Sequence, residues 1–390
     1  MRLRALLFWA HLVCGVTAGV VVLIMCMTGV ALTYQRQIQY WADTHDFRVV
    51  AAADASRASA STLLAAARAF DPSATPTSIT YRADPSSPVA IAIGRRTVYL
   101  NAHTGSVYGD GHGQGVREFF ATMTAWHRYL GRAGDGRARA RLITGAANLM
   151  FLFIVFSGMY LWWPKSLRWT QVRNITWFRG GLHAKARDFN WHNTIGFWSA
   201  LPLAIVVFSG VVISFPWASN MVYRVMGEEP PAPQAGARAA GTGGARDGGL
   251  DSQAARQASP RGSGAGADLD MVVSRAMVQA PGWKILTVRV PASDQAPVSV
   301  TIDRGDGGQP QSRATVSFSA ATGEIGHVED FGALTPGRKM RSILRFAHTG
   351  EVLGLVGQTI AGAVSLGGAF LVYTGMALSL RRFAAWRRRD

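Results

Sequence analysis

Four histidines carry most of what this sequence offers for chemistry. His11 lies in "WAHLVCGVTAGVVVLIMCMTG" and His192 in "NWHNTIGFWSALPLAIVVFSG", each at the mouth of a long apolar run. His127, in "FFATMTAWHRYLG", and His348, in "ILRFAHTGEVLG", each precede another such run. Gly15 and Gly19 follow His11 at i+4 and i+8, and Gly196 and Ala200 follow His192 in the same register, so each set shares one helical face. Gly131 stands four residues after His127, and Gly350 and Gly354 follow His348. Small residues beneath an imidazole read in two ways: as a close helix contact, or as a slot for a flat macrocycle ligated by that ring. Thr28-Gly29 and Ser209-Gly210 repeat the match, their glycines falling eighteen residues past His11 and His192.

An ionisable side chain within an apolar span is costly and is a functional candidate by default. One histidine near a helix end is ordinarily an interfacial residue, but four in two symmetry-matched pairs argue for ligation. His11 with His192 near one face, and His127 with His348 near the other, is what two b-type haems stacked across a membrane would need, because low-spin haem iron takes two strong axial ligands. Zinc prefers four tight N, S or O ligands, and no carboxylate or cysteine lies at a helical offset to complete either pair. Cys14 and Cys26 form no CxxC, no CxxCH and no disulfide framework, which leaves them a packing role. His45, His103, His112 and His327 read as surface residues, and His183 sits unmatched in a basic loop. No Ser/His/Asp order, paired carboxylates or GxGxxG fingerprint is visible, which argues against a built-in nicotinamide or flavin domain.

Composition defines the helices that carry these histidines. The 390 residues are 48% hydrophobic and 16% charged, with 12 Trp, and the apolar residues are concentrated in four segments. Residues 6–33, 142–163, 193–216 and 352–379 are each long enough to cross a hydrocarbon core that takes about 20 helical residues, so the fold class is an α-helical membrane protein of four transmembrane helices. The first segment is too long for a signal peptide and lacks a clear small-x-small site, and reads as a retained anchor. The net charge of +17 comes from arginines beside the spans, and nucleic acid is not an expected partner. The short loop 164–192 is strongly basic, its residues 164–190 holding six Lys or Arg against one Asp, which places it, both termini and the 380–390 tail in the cytoplasm of a bacterial inner membrane. Trp9, Trp162, Trp163, Trp191 and Trp386 would then belt one interface, Trp126 and Trp217 the other.

The two remaining segments, 34–141 and 217–351, share an order of features. Each has an amphipathic helix ("STLLAAARAF"; "DMVVSRAMVQA"), three alternating strands, and a turn at Thr104-Gly105 or Thr322-Gly323, with Ser61 and Asp270 as candidate N-caps. A second amphipathic helix then leads into the next span. The chain reads as two tandem repeats, each carrying a small α+β periplasmic module, related by an axis along the membrane normal. Residues 228–268, rich in Gly, Ala and Pro without apolar period, read as a disordered insertion without a site.

The four histidine motifs, interleaved with modules ending in "NAHTGSVYG" and "SAATGEIGH", resemble the PepSY-associated transmembrane family, and within it the FoxB-type inner-membrane ferrisiderophore reductases. The resemblance covers nearly the whole chain outside 228–268. It implies a haem-containing oxidoreductase with PepSY modules in the periplasm, its haem ligands falling on His11, His127, His192 and His348. The expected activity is electron transfer from a quinol or a cytoplasmic reductase to a periplasmic ferric siderophore or similar iron chelate. Arg128, Arg137, Arg139, Arg341 and Arg345 are then candidates to pair haem propionates or attract an anionic chelate; contact with membrane lipid headgroups explains each of them equally well. Two other readings stand beside this one: a non-enzymatic PepSY scaffold that regulates a periplasmic protease, and a haem-handling protein that binds haem in order to move it.

Overall fold

In the computed structural model, residues 2–388 are described apart from 48, 50–55, 74, 95, 165–167, 232–267, 294–295 and 320–321. The insertion expected over 228–268 falls almost wholly outside the described residues. The chain divides into two units, one of residues 1–35, 118–232 and 343–390, the other of residues 36–117 and 233–342.

The first unit is built on α1 (Arg2–Leu32), α5 (Gly136–Trp162), α7 (Ala184–Ser214) and α11 (Gly354–Arg387). All four are long and apolar enough to cross a membrane, which makes this a multi-pass membrane protein. Helix is the form such runs must take, because in hydrocarbon every backbone N–H and C=O has to be satisfied within the segment. α1 and α7 each pack against both α5 and α11, so that they stand at opposite corners of a four-helix bundle. Ala18, Val22, Cys26, Ala147, Phe151, Val155, Leu203, Val207 and Val364 fill its centre, while Val20, Leu201 and Val356 are exposed on its outside. The glycines of α11 serve contacts inside the bundle. A methyl at Gly362 would lie 2.8 Å from Thr33 Oγ1, at Gly367 2.7 Å from Ser199 Oγ, and at Gly368 2.8 Å from the Cys26 sulfur. Cys14 and Cys26 are unpaired. Three short helices complete the unit's own elements: α6 (Trp169–Thr176), α8 (Pro216–Val225), and the last part of α4 (Gln114–Tyr129), with α10 (Pro336–His348) entering it at its C-terminal end.

The second unit is one antiparallel sheet of eight strands in the order β4-β3-β2-β1-β5-β6-β7-β8. Its strands are β1 (Pro76–Arg82), β2 (Val89–Ile93), β3 (Arg96–Leu100), β4 (Val107–Asp110), β5 (Ile285–Arg289), β6 (Val298–Asp303), β7 (Arg313–Phe318) and β8 (Ile325–Asp330). Two features differ from the sequence reading. Each half contributes four strands rather than three, because the Thr-Gly turns, with Gly105 at φ +73° and Gly323 at φ +61°, fold the third alternating segment into two. The halves also share a single sheet, in which β1 pairs β5 from Ser78↔Arg289 to Arg82↔Ile285 and Thr80 Oγ1 meets Thr287 Oγ1 at 3.1 Å. Inward residues such as Ile79, Ile91, Val98, Leu286, Val300 and Phe318 bury one face with Leu63, Leu64, Val272 and Ala276 of α3 (Ala60–Phe70) and α9 (Leu269–Gln279).

The N-caps are Ser59 and Asp268, two residues ahead of the ones expected. Asp270 instead accepts hydrogen bonds from the Ala60 and Ser61 amides and the Ser61 hydroxyl. It therefore caps α3 from α9, a carboxylate at the positive end of a helix dipole.

α2 (Gln35–Thr44) ends in Asp43, which is buried. Its carboxylate accepts from the Tyr99 hydroxyl at 3.2 Å, the Gly113 amide at 3.1 Å and the Arg117 guanidinium. Burial and this carboxylate hold the Tyr99 phenol above its usual pKa range. Gly111 and Gly113 wrap over Asp43 so closely that a Cβ on either would stand within 2.7 Å of it, which fixes the chain entering α4. Asp43→Ala leaves the Tyr99 phenol and the Gly113 amide without this acceptor and the Arg117 guanidinium with the Gly111 carbonyl alone, and should cost about 3 kcal/mol, read as a lowered melting temperature of the purified protein in detergent.

Candidate functional site

His11 on α1 and His192 on α7 reach toward each other from opposite corners of the bundle, with ring centres 6.5 Å apart and planes at 80°. His127, near the end of α4, and His348, the last residue of α10, form a second pair, with centres 6.2 Å apart and planes at 60°. The structure therefore brings all four sequence-predicted histidines together, two by two.

One hydrogen-bonding arrangement serves every ring. Nδ1 of His11 meets Ser157 Oγ of α5 at 2.9 Å, and Nδ1 of His192 meets Thr374 Oγ1 of α11 at 2.9 Å. Nδ1 of His127 meets Thr28 Oγ1 of α1 at 3.0 Å, and Nδ1 of His348 meets Val206 O at 2.8 Å and Ser209 Oγ of α7 at 3.4 Å. In each case the residue after the hydroxyl is glycine. A Cβ on Gly158, Gly375, Gly29 or Gly210 would stand 3.3, 3.4, 3.7 or 3.1 Å from Cε1 of His11, His192, His127 or His348. Each span thus gives one Ser/Thr-Gly step to one imidazole. α1 and α7 tie the two pairs together, since His11 and Thr28, like His192 and Ser209, are seventeen residues apart, about 25 Å along a helix.

The second pair depends on sharp chain reversals. After His127 the chain turns through Leu130 at φ +50° and Gly131 at φ +72°, with Leu130 N donating to Trp126 O and Gly131 N to Ala125 O. Leu130 is the sole non-glycine residue with positive φ among those described, and a bulky side chain held there is strained. After His348 the turn passes through Gly350 at φ +77°, where backbone runs against backbone: a Cβ on Gly357 would lie 2.1 Å from Gly350 O.

Charges are placed differently around the two pairs. Four residues before His192, buried Asp188 binds Arg381 at 2.6 Å and Arg187 at 3.0 Å. Beside His127, the guanidiniums of Arg128 and Arg137 lie 5.3 and 5.4 Å from the Tyr129 ring centre, and neither forms an ion pair with a carboxylate among the described residues. Arg345 stacks near Phe346. Arg139 is exposed, and Arg341 belongs to the other unit.

The glycines at i+4 and i+8 of His11, and at i+4 of His192 and His127, meet other neighbours. Gly19 packs on Met376 and Val372, Gly196 on Leu371 and Gly131 on the Trp126 indole, while a Cβ at Gly15 would meet nothing within 4 Å. Among the described residues no cluster of three or more His, Cys, Asp or Glu is placed to hold a metal. Each pair is thus two imidazoles without a third ligand of those types.

The profile of the family described as PepSY-associated TM region matches residues 8–382 of this chain. No curated protein matches it.

Proposed function

The chain belongs to the PepSY-associated TM region family, and on that premise and the geometry of its histidines we propose that it is an inner-membrane oxidoreductase holding two b-type haems, His11 with His192 and His127 with His348, and delivering electrons across the bilayer to a ferric chelate of the FoxB-type, ferrisiderophore kind. The observation that carries this reading is the spacing of the rings. An imidazole nitrogen binds a metal at about 2 Å, and C–N bonds of about 1.33 Å put a five-membered ring's centre about 1.1 Å from its atoms, so two imidazoles that share one ion would have centres up to about 6.3 Å apart. The observed separations are 6.5 and 6.2 Å. The donor set also fits: two imidazoles per pair, engaged at Nδ1 and with no hydrogen bond at Nε2 among the described residues.

A haem with two imidazole ligands exchanges single electrons and offers a substrate no open position on its iron. The chain's own residues then have separate tasks. The four histidines would hold the two groups at opposite ends of the bundle, and the apolar core between them, Val22, Phe151, Val155 and Val207, would exclude water. Arg128 and Arg137, unpaired with carboxylates among the described residues, favour an anionic chelate or a propionate near the second pair. The substrate iron gains one electron and passes from Fe(III) to Fe(II), which hard oxygen-rich chelators hold less well. The orientation belongs to this proposal: both termini and the basic loop 164–192 in the cytoplasm, the sheet unit in the periplasm. So does a duplicated origin, supported by the mirrored strand order and by equal seventeen-residue spacings on α1 and α7.

The test is oxidation of dithionite-reduced, purified protein by ferric hydroxamate and ferric catecholate chelates, with an Fe(II)-specific dye as trap. Reoxidation with one Fe(II) trapped per electron supports a reductase. Protein that stays reduced with every chelate, or that gives up its haem to an acceptor protein instead, supports haem handling.

A further inference from the structure

Each of the four histidines faces a hydroxyl at its Nδ1, at 2.9, 2.9, 3.0 and 3.4 Å for His11, His192, His127 and His348. A hydroxyl has one proton to give. Ser157 Oγ donates it to Phe153 O at 2.7 Å, Thr28 Oγ1 to Ile24 O at 2.7 Å, Thr374 Oγ1 to Phe370 O at 2.8 Å and Ser209 Oγ to Val206 O at 2.9 Å. With the proton directed at its own helix, each oxygen presents only lone pairs to the imidazole, so the proton in the contact must sit on Nδ1. We propose that Ser157, Thr374 and Thr28 are positioning residues that hold His11, His192 and His127 as the Nδ1–H tautomer, leaving Nε2 as the ligating lone pair and fixing each ring's plane, and that His348 is held the same way chiefly by the carbonyl of Val206. This rests on the haem reading for its consequence, though not for the tautomer itself.

Two further features agree with it. The glycine after each hydroxyl lets Cε1 lie flat against the neighbouring helix, so that hydrogen bond and steric floor together leave the ring one orientation. The hydroxyls are also supplied from helices other than the ring's own, and α5 and α11, which carry neither His11 nor His192, act on the first pair through Ser157 and Thr374. An Nδ1–H donated to oxygen makes Nε2 a stronger base, and removing such a partner typically weakens metal binding about 10- to 100-fold.

The experiment compares Ser157→Ala, Thr374→Ala, Thr28→Ala and Ser209→Ala in the full-length protein. The first three should each release haem about 10- to 100-fold more readily from the affected pair. They should also raise that centre's reduction potential, since a weaker donor stabilises the ferric form less, and change its low-spin electron paramagnetic resonance signal, which reports the angle between ring planes. Ser157→Thr and Thr28→Ser should restore all three. Ser209→Ala should change little, because Val206 O still receives the His348 proton at 2.8 Å. Nitrogen NMR of the histidines in haem-free protein reads the tautomer directly. Nε2–H rings there, or Ser157→Ala, Thr374→Ala and Thr28→Ala variants with wild-type potentials and signals, overturn the proposal. Wild-type protein with Nδ1–H rings that binds no haem overturns the haem reading alone and leaves the tautomer assignment standing.

Discussion

His192→Ala should retain one of two haems, the one held by His127 and His348, and His348→Ala should retain the other. On the proposed ligation each substitution removes one of two protein ligands, and no third His, Cys, Asp or Glu among the described residues is placed to substitute. The pairs lie about 25 Å apart along α1 and α7, beyond the distance within which substitutions ordinarily couple, so the effects should add and the double variant should be colourless. Pyridine haemochrome content per chain checks this, with the spectrum of each single variant assigning its band to one pair. Loss of both haems from either single variant would mean that the pairs are not independent sites.

Gly357→Ala should be the most damaging single methyl within the four spans. The new carbon would stand 2.1 Å from Gly350 O and 2.8 Å from Leu353 Cβ, and a methyl at Gly350 would meet Gly357 O at 2.2 Å. Backbone atoms cannot rotate out of the way as a side chain can, so the 350–353 turn has to move, at a cost of about 3 kcal/mol. Gly350 is two residues past His348, and the shift should carry that ring away from Val206 and from His127. The expected result is a lowered melting temperature together with loss of the second haem and retention of the first. Gly180→Ala, where a methyl meets nothing within 4 Å, is the control and should melt as wild type. A Gly357→Ala protein with two haems and normal melting would show that this close approach does not position His348.

Much of the architecture is legible in the sequence because it rests on local periodicity. Twenty-residue apolar runs have only one way to satisfy their backbone in lipid, and alternating Val, Ile and Thr segments have few alternatives to strands. The four histidines stood out for a local reason as well, since each sits beside an apolar run. What surrounds them did not, because their partners are distant in the chain: Ser157 lies 146 residues from His11, and Thr374 lies 182 residues from His192. Thr28-Gly29 and Ser209-Gly210 are visible as a matched spacing, yet their role appears only when His127 and His348 are found against them, and nothing local marks Ser157-Gly158 or Thr374-Gly375. The sequence spacing points to Gly15, Gly19 and Gly196, on the histidine's own helix at i+4 and i+8. Helical side chains lean toward the N-terminus, so His11 and His192 point away from those glycines and rest on glycines of neighbouring helices. The shared sheet was hidden for a similar reason, because β1 and β5 are about two hundred residues apart and either could equally have been the edge of a separate four-stranded module.

Whether two histidine pairs each hold a haem is read from the haem stoichiometry and reduced-minus-oxidised spectrum of detergent-purified wild-type protein, expressed with haem in excess. Two b-type haems per chain with low-spin bands are predicted. A colourless protein, or one whose haem binds carbon monoxide at an open iron position, would contradict it.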